Sequence, residues 1–153
     1  MTRDSHIDRH LIAPVESCIE KGMTYCIGFS GGMDSRTLLD VLFRVCARRR
    51  AQLVALHYNH KLRGDAADRD EEFCRAVCDA YDIDIRVGRG GVQELAKEEK
   101  LSLEDAARRT RFRWFAAQSR ALQADALVLA HHADDFLDDL LRLVLGAPDA
   151  PLV

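Results

Sequence analysis

Short apolar runs recur four times along the chain, at residues 23–29, 53–58, 83–87 and 126–130, and helical patterns fill the intervals between them. Each run is too short for a core helix and too continuous for a strand with one wet face, so the set reads as a sheet buried on both sides. The helical patterns cover residues 35–49, 65–81, 92–100 and 103–122, with a further one at 134–145. Strands that alternate with helices in this way run parallel, because each connection must cross back over the sheet. The expected fold is therefore α/β: a doubly wound, mostly parallel sheet with helices on both faces, binding its ligand beyond the carboxyl ends of the strands. After residues 146–153, Gly-Ala-Pro-Asp-Ala-Pro-Leu-Val, no further strand pattern follows, so the sheet is expected either to close on four strands or to lack its last one.

A chain of 153 residues that is 48% apolar and 31% charged has the makings of one domain with a true core. Its net charge of −3 gives no global attraction to nucleic acid, so any such contact must be local. No apolar run approaches the roughly 20 residues of a membrane helix. Asp4, Asp8, Glu16 and Glu20 stand where a signal peptide needs an apolar core, and a cytoplasmic location is expected. The five cysteines, Cys18, Cys26, Cys46, Cys74 and Cys78, form no Cys-x-x-Cys pair, so neither a disulfide framework nor a metal site is expected, and Cys74 and Cys78, which share a helix face, read as small buried thiols.

Residues 30–35 read Ser-Gly-Gly-Met-Asp-Ser, at the carboxyl end of the first apolar run and the start of a helical pattern. Unpaired N–H groups and the positive end of the helix dipole favour an anion there. Gly31 and Gly32 are expected to take φ > 0 and let the backbone approach a phosphate, while Ser30 and Ser35 can donate hydroxyl bonds to its oxygens. Asp34 would repel a bare phosphate and makes sense only with Mg²⁺ or a cationic substrate between them. A simple capping turn explains one Ser or one Asp, but not this set. The chain has neither Gly-x-x-x-x-Gly-Lys-[Ser/Thr] nor Gly-x-Gly-x-x-Gly, which argues against a Walker-type NTPase or a dinucleotide dehydrogenase. The loop resembles that of the PP-loop ATP pyrophosphatases, which split ATP between its α and β phosphates and adenylate a substrate. That resemblance implies ATP and Mg²⁺ as cofactors and places Ser30, Gly31, Gly32, Met33, Asp34 and Ser35 around the nucleotide. Residues 1–153 are then expected to form a single PP-loop domain, a fragment of a longer catalytic domain.

Three further blocks follow: Leu-His-Tyr-Asn-His-Lys-Leu-Arg at 56–63, Leu-Glu-Asp-Ala-Ala-Arg-Arg-Thr-Arg-Phe-Arg-Trp-Phe at 103–115, and Leu-Ala-His-His-Ala-Asp-Asp-Phe-Leu-Asp-Asp-Leu-Leu at 129–141. In this order they resemble the tRNA(Ile)-lysidine synthetases. The resemblance implies adenylation of the wobble cytidine of an isoleucine tRNA, then ligation of lysine, with AMP and pyrophosphate released. Where that family has Glu-Thr after its Asp-Asp pair, this chain has Asp138 and Asp139.

The blocks also have a physical reading of their own. At 100° per residue, Arg108 and Arg111 fall in the apolar arc of Phe112, Phe115 and Leu122, while Arg109, Arg113 and Arg120 share the opposite side. Two inward arginines need an anion or a snorkelling route, and an α-phosphate beyond the strand ends would supply the anion. Asp135, Asp138 and Asp139 share one helix face, suited to Mg²⁺, to the ammonium of lysine, or only to the helix dipole. His131 and His132 read equally as phosphate ligands and as structural residues, and His57 and His60 read as structural. The catalytic set expected is Asp34, Arg108, Arg111, Asp135 and Asp138, with Asp34 and Asp135 at the metal and His131 and His132 at the nucleotide. Two competing readings are tRNA thiolation, which expects paired cysteines, and a nucleotide-binding or regulatory module that has kept the loop without full catalysis.

Overall fold

A computed structural model describes residues 12–130. Its elements follow in the order α1 (Ala13–Cys18), β1 (Thr24–Gly28), α2 (Met33–Arg49), β2 (Gln52–Asn59), α3 (Asp65–Ala80), β3 (Asp84–Arg89), α4 (Val92–Glu98), α5 (Leu103–Ala121) and β4 (Ala126–Leu129). All four strands and four of the helices stand where the apolar periodicity predicts them. Only α1 has no counterpart in that reading, because its six residues are too few to display a helical period. The helix expected at 134–145 lies outside the described residues.

The strands form one all-parallel sheet in the order β3-β2-β1-β4. Ile27 of β1 is opposite Ala55 of β2 on one side and Val128 of β4 on the other. The chain steps outward from β1 to β2 to β3, then returns through α4 and α5 to place β4 on the far side of β1. Strand order therefore reverses between β1 and β4, and the loops leaving the carboxyl ends of these strands diverge there to leave a crevice.

Alternation along β1 and β2 divides the core in two. Ile27, Phe29 and Ala55 face α2 and α3, where Leu39, Leu42, Val45, Cys74, Val77 and Cys78 cover them. Cys26, Val54, Leu56 and Tyr58 face the other way, against Val92 of α4 and Ala106 and Phe115 of α5. Each Leu, Ile or Phe fully withdrawn from water contributes about 1.5–3 kcal/mol, so β1, covered on both faces and paired on both edges, anchors the domain. β3 departs from the expectation of a strand buried on both faces. It is one edge of the described sheet, and Asp84, Arg86 and Arg89 along it are exposed. Charged side chains on an edge strand discourage pairing with another chain.

Helix α5 starts at Ser102, whose hydroxyl accepts a hydrogen bond from the Asp105 N–H at 3.0 Å. Its Trp114 reaches the sheet only because residue 88 is glycine. A Cβ there would stand 2.6 Å from the Trp114 ring and 2.6 Å from the Tyr58 ring. No helix among the described residues is long and apolar enough to cross a membrane. Gly88→Ala forces two large rings apart and is expected to destabilise the fold by about 1–3 kcal/mol. Urea unfolding should show this as a lower midpoint at unchanged slope.

Candidate active site

The segment that leaves β1 turns sharply and begins α2. Gly31 has φ +85, and a Cβ there would lie 3.1 Å from Cys74 Sγ and 3.3 Å from the Phe73 ring, so the position requires glycine twice over. Gly32 does not share that conformation. It sits at φ −70 and ψ 165 as the N-cap of α2, extended backbone that hands the chain directly into the helix. No side chain caps this helix, and its first intrahelical bond runs from the Arg36 N–H to the Gly32 carbonyl at 2.9 Å. The first-turn N–H groups before Arg36 thus have no intrahelical acceptor and suit an anion.

The two serines of the loop are brought together. Ser30 Oγ lies 3.0 Å from Ser35 Oγ, Ser35 donates to the Gly32 carbonyl at 3.1 Å, and the Gly32 N–H donates to Ser30 Oγ at 3.3 Å. Ser35 is buried and Ser30 exposed, so the pair runs from the base of the loop to its mouth. On the adjoining strand, buried His57 donates from Nδ1 to the Phe29 carbonyl at 2.8 Å. A carbonyl only accepts, so Nδ1 carries a proton.

These groups border a cavity of about 470 Å³ at the carboxyl ends of β1, β2 and β4. Phe29, Ser30 and Ser35 form one wall, and His57, His60 and Arg63 another. Helix α5 closes it with Ala107, Arg111 and Phe115, and Leu129 and Ala130 bring in the end of β4. Met33 and Asp34 are exposed beyond that wall, Asp34 in the first turn of α2.

Of the two arginines in the apolar arc of α5, only Arg111 reaches the cavity, with its guanidinium 5.3 Å from the centre of the Phe112 ring. Arg108, one turn earlier, lies with Nη2 3.7 Å from the exposed carboxylate of Glu104. Both are half-buried, whereas Arg109, Arg113 and Arg120 are exposed, as the helical arc requires. Arg109 and Arg113 converge on Glu99 and tie α4 to α5. His131, His132, Asp135 and Asp138 lie outside the described residues. Among the described residues no group of three or more His, Cys, Asp or Glu is placed to hold a metal ion.

His60 is set between charges. Burial first, then the guanidinium of Arg111, then His57 and Arg63, push its imidazole down to about 4, so it is neutral near pH 7. Its Nδ1 is buried without a hydrogen-bond partner among the described residues.

A polar network behind the cavity has no counterpart in the sequence reading. The Nδ2 of buried Asn59 donates to the Ala67 carbonyl at 3.2 Å, to Asp68 Oδ1 at 2.9 Å and to Glu71 Oε2 at 3.2 Å. Buried Glu71 also accepts from Arg75 Nε at 3.0 Å and from Arg89 Nε at 2.9 Å. The Glu71 and Arg75 spacing of four residues on one helix is visible in sequence, but the contacts from Asn59 and Arg89 exist only once α3 docks. Burial pushes the thiols of Cys46 and Cys78 up to about 11 and that of Cys74 up to about 12, and it raises that of Cys26.

A parallel sheet with a glycine and serine loop feeding an uncapped helix beside its switch point defines a nucleotide-binding α/β domain. The PP-loop domain family matches residues 3–152, and the chain belongs to that family, which implies ATP as the nucleotide. Among curated relatives, the tRNA(Ile)-lysidine synthase of Geobacter sulfurreducens is 46% identical over 123 residues, covering 79% of this chain and 26% of the relative. That of Clostridium acetobutylicum is 34% identical over 131 residues, covering 85% and 28%. The chain thus spans about a quarter of the length of these relatives. Among solved structures, the U34-tRNA thiolase NcsA from Methanococcus maripaludis, with its [4Fe-4S] cluster, superimposes with a TM-score of 0.59 at 18% identity, over 94% of this chain and 49% of that one. It shares the fold.

Glu71 offers a test of the network that holds the cavity wall. Hydrogen bonds from Arg89 foremost, then from Asn59 and Arg75, outweigh its burial and take its carboxyl from 4.5 down to about 2. A carboxyl lowered on folding contributes stability that is present above its unfolded value and lost as pH falls through the folded one. Stability owed to Glu71 should therefore decline between about pH 4.5 and about pH 2. Glu71→Gln should cost about 1–2 kcal/mol at pH 7, given that both arginines are half in solvent, and flatten the acid limb in unfolding measured across that window.

Proposed function

We propose that this chain is the ATP-binding part of a tRNA-modifying ligase that adenylates the wobble cytidine of an isoleucine tRNA and joins lysine to it, releasing AMP and pyrophosphate. The observation that carries this reading is the cavity itself, which brings the Ser30 and Ser35 loop and the inward guanidinium of Arg111 to one place beyond the strand ends. The names borne by its relatives supply the reaction class and the substrates.

In this reading residues 1–153 are one unit of a longer catalytic domain. Ser30, Gly31, Gly32, Met33, Asp34 and Ser35 wrap the β and γ phosphates, with backbone N–H groups and hydroxyls as donors. Asp34, exposed at the helix start, suits Mg²⁺, which commonly takes one or two carboxylates together with substrate phosphates. A metal so held offsets phosphate charge. Arg111 donates to the α-phosphate, where charge grows as the cytidine oxygen attacks and pyrophosphate leaves. Arg108 stands one turn further out. For His131 and His132 at the phosphates, Asp135 at the metal and Asp138 at the lysine ammonium, the support is the sequence pattern alone. Thiolation is the weaker reading for this chain, because four of its five cysteines are buried with raised pKa and none forms a Cys-x-x-Cys pair.

Two measurements test the proposal. Mg·ATP should raise the melting temperature of the chain, and Ser35→Ala should remove most of that rise; an equal rise in the variant removes the loop from nucleotide binding. In a protein carrying the whole catalytic domain, labelled ATP should yield AMP and pyrophosphate, and ADP as the main product sinks the assignment. In that same protein Arg111→Met keeps the apolar stem and should leave folding intact while slowing adenylation roughly 10²-fold.

A further inference from the structure

The corner after β2 is built with unusual care for a loop that the proposed chemistry leaves unused. Asn59 locks it to α3 through Nδ2, whose two N–H groups are shared among three acceptors, and its Oδ1 accepts the Lys61 N–H at 3.0 Å. Lys61 sits in the left-handed region at φ +56, and its ammonium pairs with Asp68. One cation of the corner is therefore turned outward and neutralised. The other, Arg63, lines the cavity and forms no ion pair with any described residue.

We propose that Arg63 is a second phosphate-binding residue of this cavity, facing it from the β2 corner as Arg111 does from α5. Both arginines line one cavity whose only described carboxylate is that of Asp70 on α3. His60 lines the same cavity and is kept neutral first by its own burial, then by Arg111, His57 and Arg63. A protonated imidazole there would add a further positive charge to the cavity; a neutral one does not. Arginine suits this task because its fork meets two phosphate oxygens at once. The phosphate belongs either to ATP or to the backbone of the tRNA beside the target base. The inference rests on the cavity being the nucleotide site.

Arg63 is exposed, so Arg63→Met should melt within about 1 °C of the parent chain. Its dissociation constants for Mg·ATP and for a tRNA(Ile) transcript are to be measured beside those of the parent chain and of Arg86→Met, whose side chain is on the β3 edge away from the cavity. A rise of roughly tenfold for Mg·ATP with tRNA unchanged assigns the phosphate to the nucleotide. Weaker tRNA binding, with a salt dependence reduced by about one counterion and Mg·ATP unchanged, assigns it to the RNA backbone. Values for both ligands within twofold of the parent overturn the proposal. A parent chain that fails to bind Mg·ATP overturns instead the reading of the cavity on which it rests.

Discussion

Pairing of β1 on both edges and its burial on both faces is the constraint from which the rest of the domain follows. Its odd-numbered side chains, Tyr25 and Ile27, and Phe29 just past its end are claimed by the α2 and α3 face, and Cys26 by the face of α5. A strand so enclosed has water or ligand only at its tips. The polar loop at its carboxyl end is therefore also the place where the Phe29 carbonyl, past the last ladder position, takes its hydrogen bond from His57 of the neighbouring strand. The same bond fixes the start of the loop relative to β2, so the position of Ser30 follows from the position of the sheet.

Strands, helices and the site loop were legible in the sequence because each is written locally. Runs of four to eight apolar residues give the strands, and one turn of helix repeats the arc that sets Arg111 inward and Arg113 outward. The same arithmetic could not separate Arg108 from Arg111. They differ by three residues and share the arc, and only the placing of α5 over the strand ends puts one on the cavity and the other beside Glu104. Gly32 was misread for a related reason: two adjacent glycines look alike in sequence, but only Gly31 makes the reversal and meets Cys74.

What stayed hidden was non-local. Asn59, Glu71 and Arg89 stand on a strand, a helix and a second strand, and nothing in their spacing announces that one buried carboxylate will collect them. A charge at 6% exposure survives only because several donors converge on it. Its effect reaches the cavity through Asn59, which lines it and is the last residue of β2 before the corner that carries His60 and Arg63.

The cysteines have a chemical consequence of a different kind. Cys26, Cys46, Cys74 and Cys78 are fully or almost fully withdrawn from solvent, and burial holds each of them as a neutral thiol. Peroxides and alkylating reagents attack the thiolate, so the interior of this domain is inert to them while it remains folded. Cys18, exposed at the end of α1 and on the opposite end of β1 from the loop, is left as the one accessible thiol. A domain with five cysteines thus presents itself to electrophiles as though it had one, and a maleimide dye will report folding by the number of sulfurs it finds.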